Sequence, residues 1–316
     1  IFGIEESEGA ASSICGIEGF DQDSGHLRIE EIIRNGIEPR IVGLQLRSLV
    51  LESGNSVLVI RIPSSFNRPH MVTYKGGSKF YSRNSAGKYP LDITEIRAAF
   101  IASESLSNRL RDFKAERIDN IIRGNTPEHL FGSHLMCLHL IPLESFNTSY
   151  KFDLTSAQTL QDHLRPVNST DWGPGINFDG FNMVSHASHN NERVATSYVQ
   201  LFRNGALEAV ESLMFRVSET DQKIIPSIAY ECELISALDR FLTFYREYGM
   251  PTPIVVALSF LNVKGFSMYV DPMNWNHSAR ARAIDREHLI LPEQFIDSYE
   301  VSAANILKGL FDQIWN

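Results

Sequence analysis

The stretch VLVIRIPSSFNRPHMVTYKGGSKFYSR, residues 57–83, decides how the N-terminal half folds. Val57–Ile62 is an apolar run that alternates around Arg61, and Pro63-Ser64-Ser65 closes it. His70–Tyr74 resumes a strand pattern and Lys79–Ser82 continues it. Between them Gly76-Gly77 accepts positive φ at two successive positions, as a tight hairpin requires. Upstream, Ile41–Glu52 is a further strand that meets Val57 through the turn Ser53-Gly54-Asn55-Ser56. These spacings predict a meander of short antiparallel strands whose residues alternate between two faces.

The same region carries a charge reversal. From Arg34 to Lys88 there are nine Lys/Arg against Glu38 and Glu52, a net +7 in a chain whose total is −9. A single-sign field on a strand-rich segment attracts a polyanion, nucleic acid above all. Arg40, Arg47, Arg61, Arg68, Lys75, Lys79, Arg83 and Lys88 are the candidate phosphate contacts. Tyr74, Phe80 and Tyr81 interleave with them and offer rings to bases. The competing expectation is that these cations pair with residues 1–33, which hold eight acids and one Arg.

With 316 residues, 43 % hydrophobic, 10 % aromatic and 21 % charged, the composition is ordinary globular and long enough for two cores. The longest apolar runs are too short to cross a bilayer, so no membrane partner is expected. Cys15, Cys137 and Cys232 share no metal or redox spacing and read as free thiols of a reducing, cytoplasmic setting. The opening Ile1-Phe2-Gly3-Ile4-Glu5-Glu6 reads as the end of a strand, and hence as a chain that begins further upstream.

Asp23 is a candidate cap for a helix from Ser24 to about Asn35, with Leu27, Ile29, Ile32 and Ile33 inward. Asp92-x-x-Glu95 reads as a capping box for a helix through Ile93, Ile96 and Phe100. A second helix carries Leu106, Leu110, Phe113, Ile118 and Ile121 on one stripe and stops at Gly124. The expected fold class is α+β: residues 1–124 form an N-terminal domain with a mostly antiparallel sheet and connecting helices, and residues 125–316 a C-terminal α+β accessory domain. In the latter, His134–Pro142 and Ile176–Met183 read as strands, Asn204-Gly205 as a hairpin turn, and Pro226 as the start of a six-turn helix ended by Gly249.

Other motifs carry less. Gly87-Lys88 is a near miss for a phosphate-binding loop: Ser82 stands for the first glycine and Tyr89 for the metal-binding hydroxyl. His186-x-x-His189 lies in a polar Ser/Asn stretch that reads as an exposed loop, and His134 and His139, five apart on a strand, point to opposite faces. Glu5 and Glu6, paired carboxylates at a strand end, are the candidate catalytic acids and Glu6 the candidate ligand for Mg²⁺ or Mn²⁺.

The ordered set Val-Leu-Val-Ile-Arg-Ile-Pro-Ser-Ser (57–65), Arg68-Pro69 and Gly-Ser-Lys-Phe-Tyr-Ser-Arg (77–83), followed by a proline and a capped helix, resembles the Schlafen AlbA_2 domain, also called the divergent AAA-4 domain, of bacterial proteins. With Phe2-Gly3-Ile4-Glu5-Glu6 ahead of it, the resemblance covers about residues 1–100. It implies a nucleic-acid-binding α/β domain, and the leading expectation is a non-catalytic binding protein in a regulatory or defence-linked role. The order of elements in the C-terminal half, a hairpin, a long helix and further strands, suggests a second copy of a similar lobe. In the Schlafen ribonucleases two upstream glutamates join an aspartate past a Phe-Gly-Val strand to bind metal and cut RNA; Glu6 stands at the third position, with Glu5 beside it. Three readings follow: a DNA- or RNA-binding protein, a metal-dependent endoribonuclease, and a protein-interaction module whose basic sheet docks an acidic partner or a second copy of the chain.

Overall fold

Two short antiparallel strands, β1 (Ile4–Ser7) and β2 (Ala10–Ile14), open the chain. The structure is a computed structural model that describes all residues but 8–9, 42, 63–64, 66, 75, 85–86, 148–149, 219, 270–281 and 316. Helix α1 (Gln22–Gly36) follows, and its cap is Asp21 rather than Asp23: the Asp21 carboxylate accepts from the Ser24 N–H at 3.0 Å. Its inward stripe is narrower than the sequence suggests. Ile29 and Ile33 are half-buried, whereas Leu27 and Ile32 are exposed.

The predicted meander exists, but as two sheets. Strands β3 (Ile37–Glu38), β4 (Gln45–Val50), β5 (Ser56–Arg61), β6 (Met71–Tyr74), β7 (Gly77–Asn84) and β8 (Gly87–Pro90) run in sequence. β4 and β5 form a hairpin of their own. β3, β6, β7 and β8 form a four-stranded sheet in the order β3-β6-β7-β8. β5 turns instead to the N-terminal segment, where Phe2 bridges Leu58 and Ile17 bridges Ser56. That approach needs a bare Cα at Gly16, whose φ is +69° and where an added Cβ would lie 2.5 Å from Asn55 Cβ.

Helix α2 (Ile93–Ile122) is one helix, not two. Its capping box is complete: Glu95 N–H donates to Asp92 Oδ1 at 2.8 Å and Asp92 N–H donates to Glu95 Oε2 at 3.0 Å. The chain divides into two compact units, Ile1–Asn108 and Arg109–Asn316, so the division falls inside α2, ahead of Gly124.

The second unit holds β9 (Leu135–Pro142), α3 (Leu154–Gln158), β10 (Trp172–Ile176), β11 (Gly180–His189), β12 (Glu192–Phe202), β13 (Leu207–Glu211), β14 (Arg216–Val217), β15 (Lys223–Ile225), α4 (Ser227–Tyr248), β16 (Ile254–Leu261), β17 (Ser267–Met268), β18 (Leu289–Ile290), β19 (Gln294–Ile296) and α5 (Ala303–Trp315). Eight strands make one sheet in the order β10-β11-β12-β13-β9-β16-β18, with β19 also on the β16 edge, and every pair is antiparallel. Asn204-Gly205 turns the β12–β13 hairpin, with Gly205 at φ +86°. The expected Ile176–Met183 strand is split: Asn177 Oδ1 accepts from Gly180 N–H at 2.9 Å, and that turn separates β10 from β11. β10 is the outer strand and places Pro174 between Gly173 and Gly175.

One face of this sheet packs on α4 and α5 through Leu234, Leu238, Phe241, Tyr245, Leu307 and Leu310, all fully buried, each contributing about 1.5–3 kcal/mol of apolar burial. The other face packs on Ile118 and Ile121 at the C-terminal end of α2. Helix α4 ends at Gly249 in the left-handed conformation, as expected. The second unit is not a copy of the first, which has a split, smaller sheet system and no eight-stranded counterpart. Cys15, Cys137 and Cys232 are free thiols. Among the described residues, no helix is long and apolar enough to cross a membrane.

Candidate nucleic-acid interface

The register of the four-stranded sheet sorts its side chains into two faces. Val72 is opposite Lys79, Tyr74 opposite Gly77, Arg83 opposite Lys88, and Tyr81 opposite Pro90. Ile37 is opposite Val72. Because facing and alternate residues share a side, Ile37, Val72, Tyr74, Lys79, Tyr81, Arg83, Lys88 and Pro90 stand on one face. Tyr74, Lys79, Tyr81, Arg83 and Lys88 are exposed there. No acidic residue belongs to this face of the four strands. Glu38 is opposite Met71, which puts it on the reverse side.

The reverse face explains why this one is open. Phe80, Met71, Thr73, Ser82 and Tyr89 are half-buried on it. Phe80 meets Phe100 of α2 edge-on at 5.9 Å, and the Tyr89 hydroxyl donates to Glu95 Oε1 at 3.1 Å. Phe80 is therefore a packing residue and not a ring for bases, a correction to the sequence expectation. Its neighbour Tyr81 keeps 42 % of its surface and has the Lys88 ammonium 5.8 Å from its ring centroid.

Of the remaining predicted cations, Arg40, Arg47, Arg61 and Arg68 are exposed but lie elsewhere. Arg47 and Arg61 share a face of the separate β4–β5 hairpin, where the Arg61 guanidinium donates to Gln45 Oε1 at 3.4 Å. Arg40 lines a cleft of about 380 Å³ with Arg34, Glu30, Ile33, Ile41 and Leu44. Arg68 is exposed between β5 and β6, and Lys75 lies outside the described residues. The cationic platform expected across neighbouring strands is thus split between two sheets, and Lys79, Tyr81, Arg83 and Lys88 are the predicted residues brought together. Among the described residues, none of Arg40, Arg47, Arg61, Arg68, Lys79, Arg83 and Lys88 forms an ion pair, with the acids of residues 1–33 or with any other.

Among the described residues, Glu5 and Glu6 do not gather into a metal centre. Glu5 pairs with Ser13 across β1–β2 and its carboxylate accepts from the Ser13 hydroxyl at 2.8 Å. A bulge separates the two glutamates, and both are exposed. Among the described residues, no group of three His, Cys, Asp or Glu is placed to hold a metal ion. His186 and His189 lie on β11 rather than in a loop. His186 Nε2 is 2.9 Å from Glu128 Oε1, whereas the His189 ring meets Phe131 at a tilt, with centroids 4.3 Å apart.

Comparison with protein-family models, curated proteins and solved structures returns no match.

The second unit contains a charged cluster that sequence reasoning missed. Glu208 on β13 is fully buried and is gripped by three donors. Arg117 Nε donates to Oε2 at 2.9 Å and Arg117 Nη2 to Oε1 at 3.1 Å, Tyr198 hydroxyl donates to Oε1 at 2.7 Å, and His139 Nε2 lies 3.1 Å from Oε2. Burial pushes the Glu208 carboxyl up, but the hydrogen bonds from His139 and Arg117 outweigh it and hold the group down at about 2. Burial, and then Glu208, raises the Tyr198 phenol well above its ordinary value. The Arg117 guanidinium also lies over the Phe202 ring at 4.7 Å. His139 and Glu208 are cross-strand neighbours only because β13 pairs with β9, a long-range pairing with no local sequence signature.

Glu211, three residues along the same strand, has the opposite balance. Burial raises its carboxyl to about 7, against hydrogen bonds from Asn168 and the N–H groups of Leu213 and Met214 that pull it down. Neither buried acid lies on the exposed face of the first unit, and both act in the fold of the second.

Proposed function

We propose that this protein binds nucleic acid, DNA or RNA, through the open face of the β3-β6-β7-β8 sheet. One observation supports the reading above the others: Lys79, Arg83 and Lys88 share an exposed face of the four strands with no acid on it, and among the described residues no ion pair reaches any of them. Three uncompensated cations on one rigid face suit a row of phosphates, each contact adding affinity by counterion release. Tyr81 and Tyr74 on the same face add rings that a purely protein partner of acidic character would not need. The nuclease alternative has no such support, since Glu5 and Glu6 gather no third ligand among the described residues.

The test is fluorescence anisotropy with labelled oligonucleotides at several salt concentrations. The wild-type protein is expected to bind with a log–log salt slope of about −2 for a single strand, from three phosphate contacts. The double variant Lys79→Glu/Arg83→Glu is expected to abolish binding at unchanged melting temperature. Wild-type affinity in that variant refutes the proposal.

A further inference from the structure

The face has a pattern beyond its charge. Successive residues on one side of a strand are about 7 Å apart. Along β7 the open face therefore presents Gly77, Lys79, Tyr81 and Arg83 at that interval, with Tyr74 beside Gly77 and Lys88 beside Arg83. The order is ring, cation, ring, cation pair. Tyr74 and Tyr81 expose 68 % and 42 % of their surface.

A duplex has no use for such rings. Its bases already stack on each other, and reaching a base face costs a few kcal/mol of unstacking per step. Phosphate contacts to a duplex would require the cations alone. An unpaired strand offers both chemistries at once, an anionic backbone and free base faces, and sheets that bind single strands combine cations with aromatic platforms in this way. The acid-free surface removes the repulsion that would oppose the backbone along its whole path.

Resting on the nucleic-acid reading above, we propose that the occupant of this face is a single-stranded polynucleotide whose unpaired bases stack on Tyr74 and Tyr81 while Lys79, Arg83 and Lys88 take its phosphates. The recognised chemistry is shared by DNA and RNA strands, because no residue of the argument reads the 2′-hydroxyl.

The experiment measures anisotropy of labelled oligothymidylate, oligouridylate and a blunt duplex of equal length, with wild type, Tyr74→Ala/Tyr81→Ala, Tyr74→Phe/Tyr81→Phe and Lys79→Glu/Arg83→Glu, each checked for an unchanged far-ultraviolet circular dichroism melt. The expected result is tighter binding of one or both single strands than of the duplex. The alanine pair should lose about ten-fold or more in affinity per ring for the strand and nothing for the duplex, with the phenylalanine pair close to wild type. If the alanine pair melts early, the phenylalanine pair and the strand-to-duplex ratio of the wild type decide. Equal affinity for strand and duplex, or alanine variants that bind the strand like wild type while charge reversal abolishes binding, overturns the single-strand inference and leaves nucleic-acid binding standing. Indifference to charge reversal as well overturns both.

Discussion

Arg83 and Lys88 face each other directly across the β7–β8 ladder, two cations in register with no ion pair to either among the described residues. Like charges directly opposite on antiparallel strands destabilise the pair. A sheet selected for stability alone would place an acid or a threonine at one of the two positions. A bound phosphate between them turns the repulsion into two attractions.

Arg83→Thr therefore has opposite effects on stability and binding. It removes the repulsion and keeps Lys88 beside Tyr81, so the hairpin gains about 0.2–1 kcal/mol, read as a higher melting temperature at low salt. The same substitution removes a phosphate contact, and the salt slope of oligonucleotide binding should fall in magnitude by about 0.7 for a single strand. A lower melting temperature together with an unchanged slope contradicts the assignment.

Glu211 makes the stability of the second unit sensitive to pH near neutrality. Its folded carboxyl titrates at about 7, above an ordinary value of 4.5. A raised carboxyl favours the folded state at low pH, where it is protonated, and that contribution is lost as pH rises from 4.5 through 7. Glu211→Gln cannot ionise, so its stability in urea titrations should be flatter than wild type across this interval. Parallel pH profiles for the two proteins would exclude Glu211 as the source.

Glu208 has the reverse sign. Its folded carboxyl lies at about 2, below 4.5, so its contribution is present above 4.5 and is lost as pH falls from there through 2. Below pH 4 the wild type should weaken, and Glu208→Gln should show less additional loss on acidification, measured by tryptophan fluorescence during acid titration.

Arg117→Met leaves the Glu208 carboxylate buried without its main cation. Breaking one side of a buried pair costs about 3–5 kcal/mol. The double variant Arg117→Met/Glu208→Gln removes both charges, and chemical denaturation should find it more stable than the single Arg117→Met. A single variant that melts with the wild type would show that the pair does not hold α2 to the sheet.

Local signals were legible and long-range pairings were not. The Asp92/Glu95 box, the Asn204-Gly205 turn and the Gly249 stop depend on residues within a few positions of each other, and all appear where the sequence places them. The break expected within α2 has a physical origin. Its inward stripe passes through Ala99 and Ser103, small and half-buried, between Ile96 and Leu106. The apolar signal lapses there while the backbone continues, because nothing at those positions breaks a helix. Similarly, the strands of the basic meander were legible but not their division into two sheets. Whether β5 pairs with β6 or with Phe2 and Ile17 is settled by contacts 39 and 56 residues apart, Ile17 with Ser56 and Phe2 with Leu58. At the candidate interface, Tyr81 and Phe80 have similar local sequence, and only the register shows which is covered by Phe100.

Pro174 lies on the outermost strand of the large sheet, the rim where a foreign strand would join. Proline has no amide hydrogen, so an intruding chain that zips along this rim finds a rung missing halfway. The rim is thereby guarded against fibre growth between molecules, at the expense of a hydrogen bond that the monomer itself never makes.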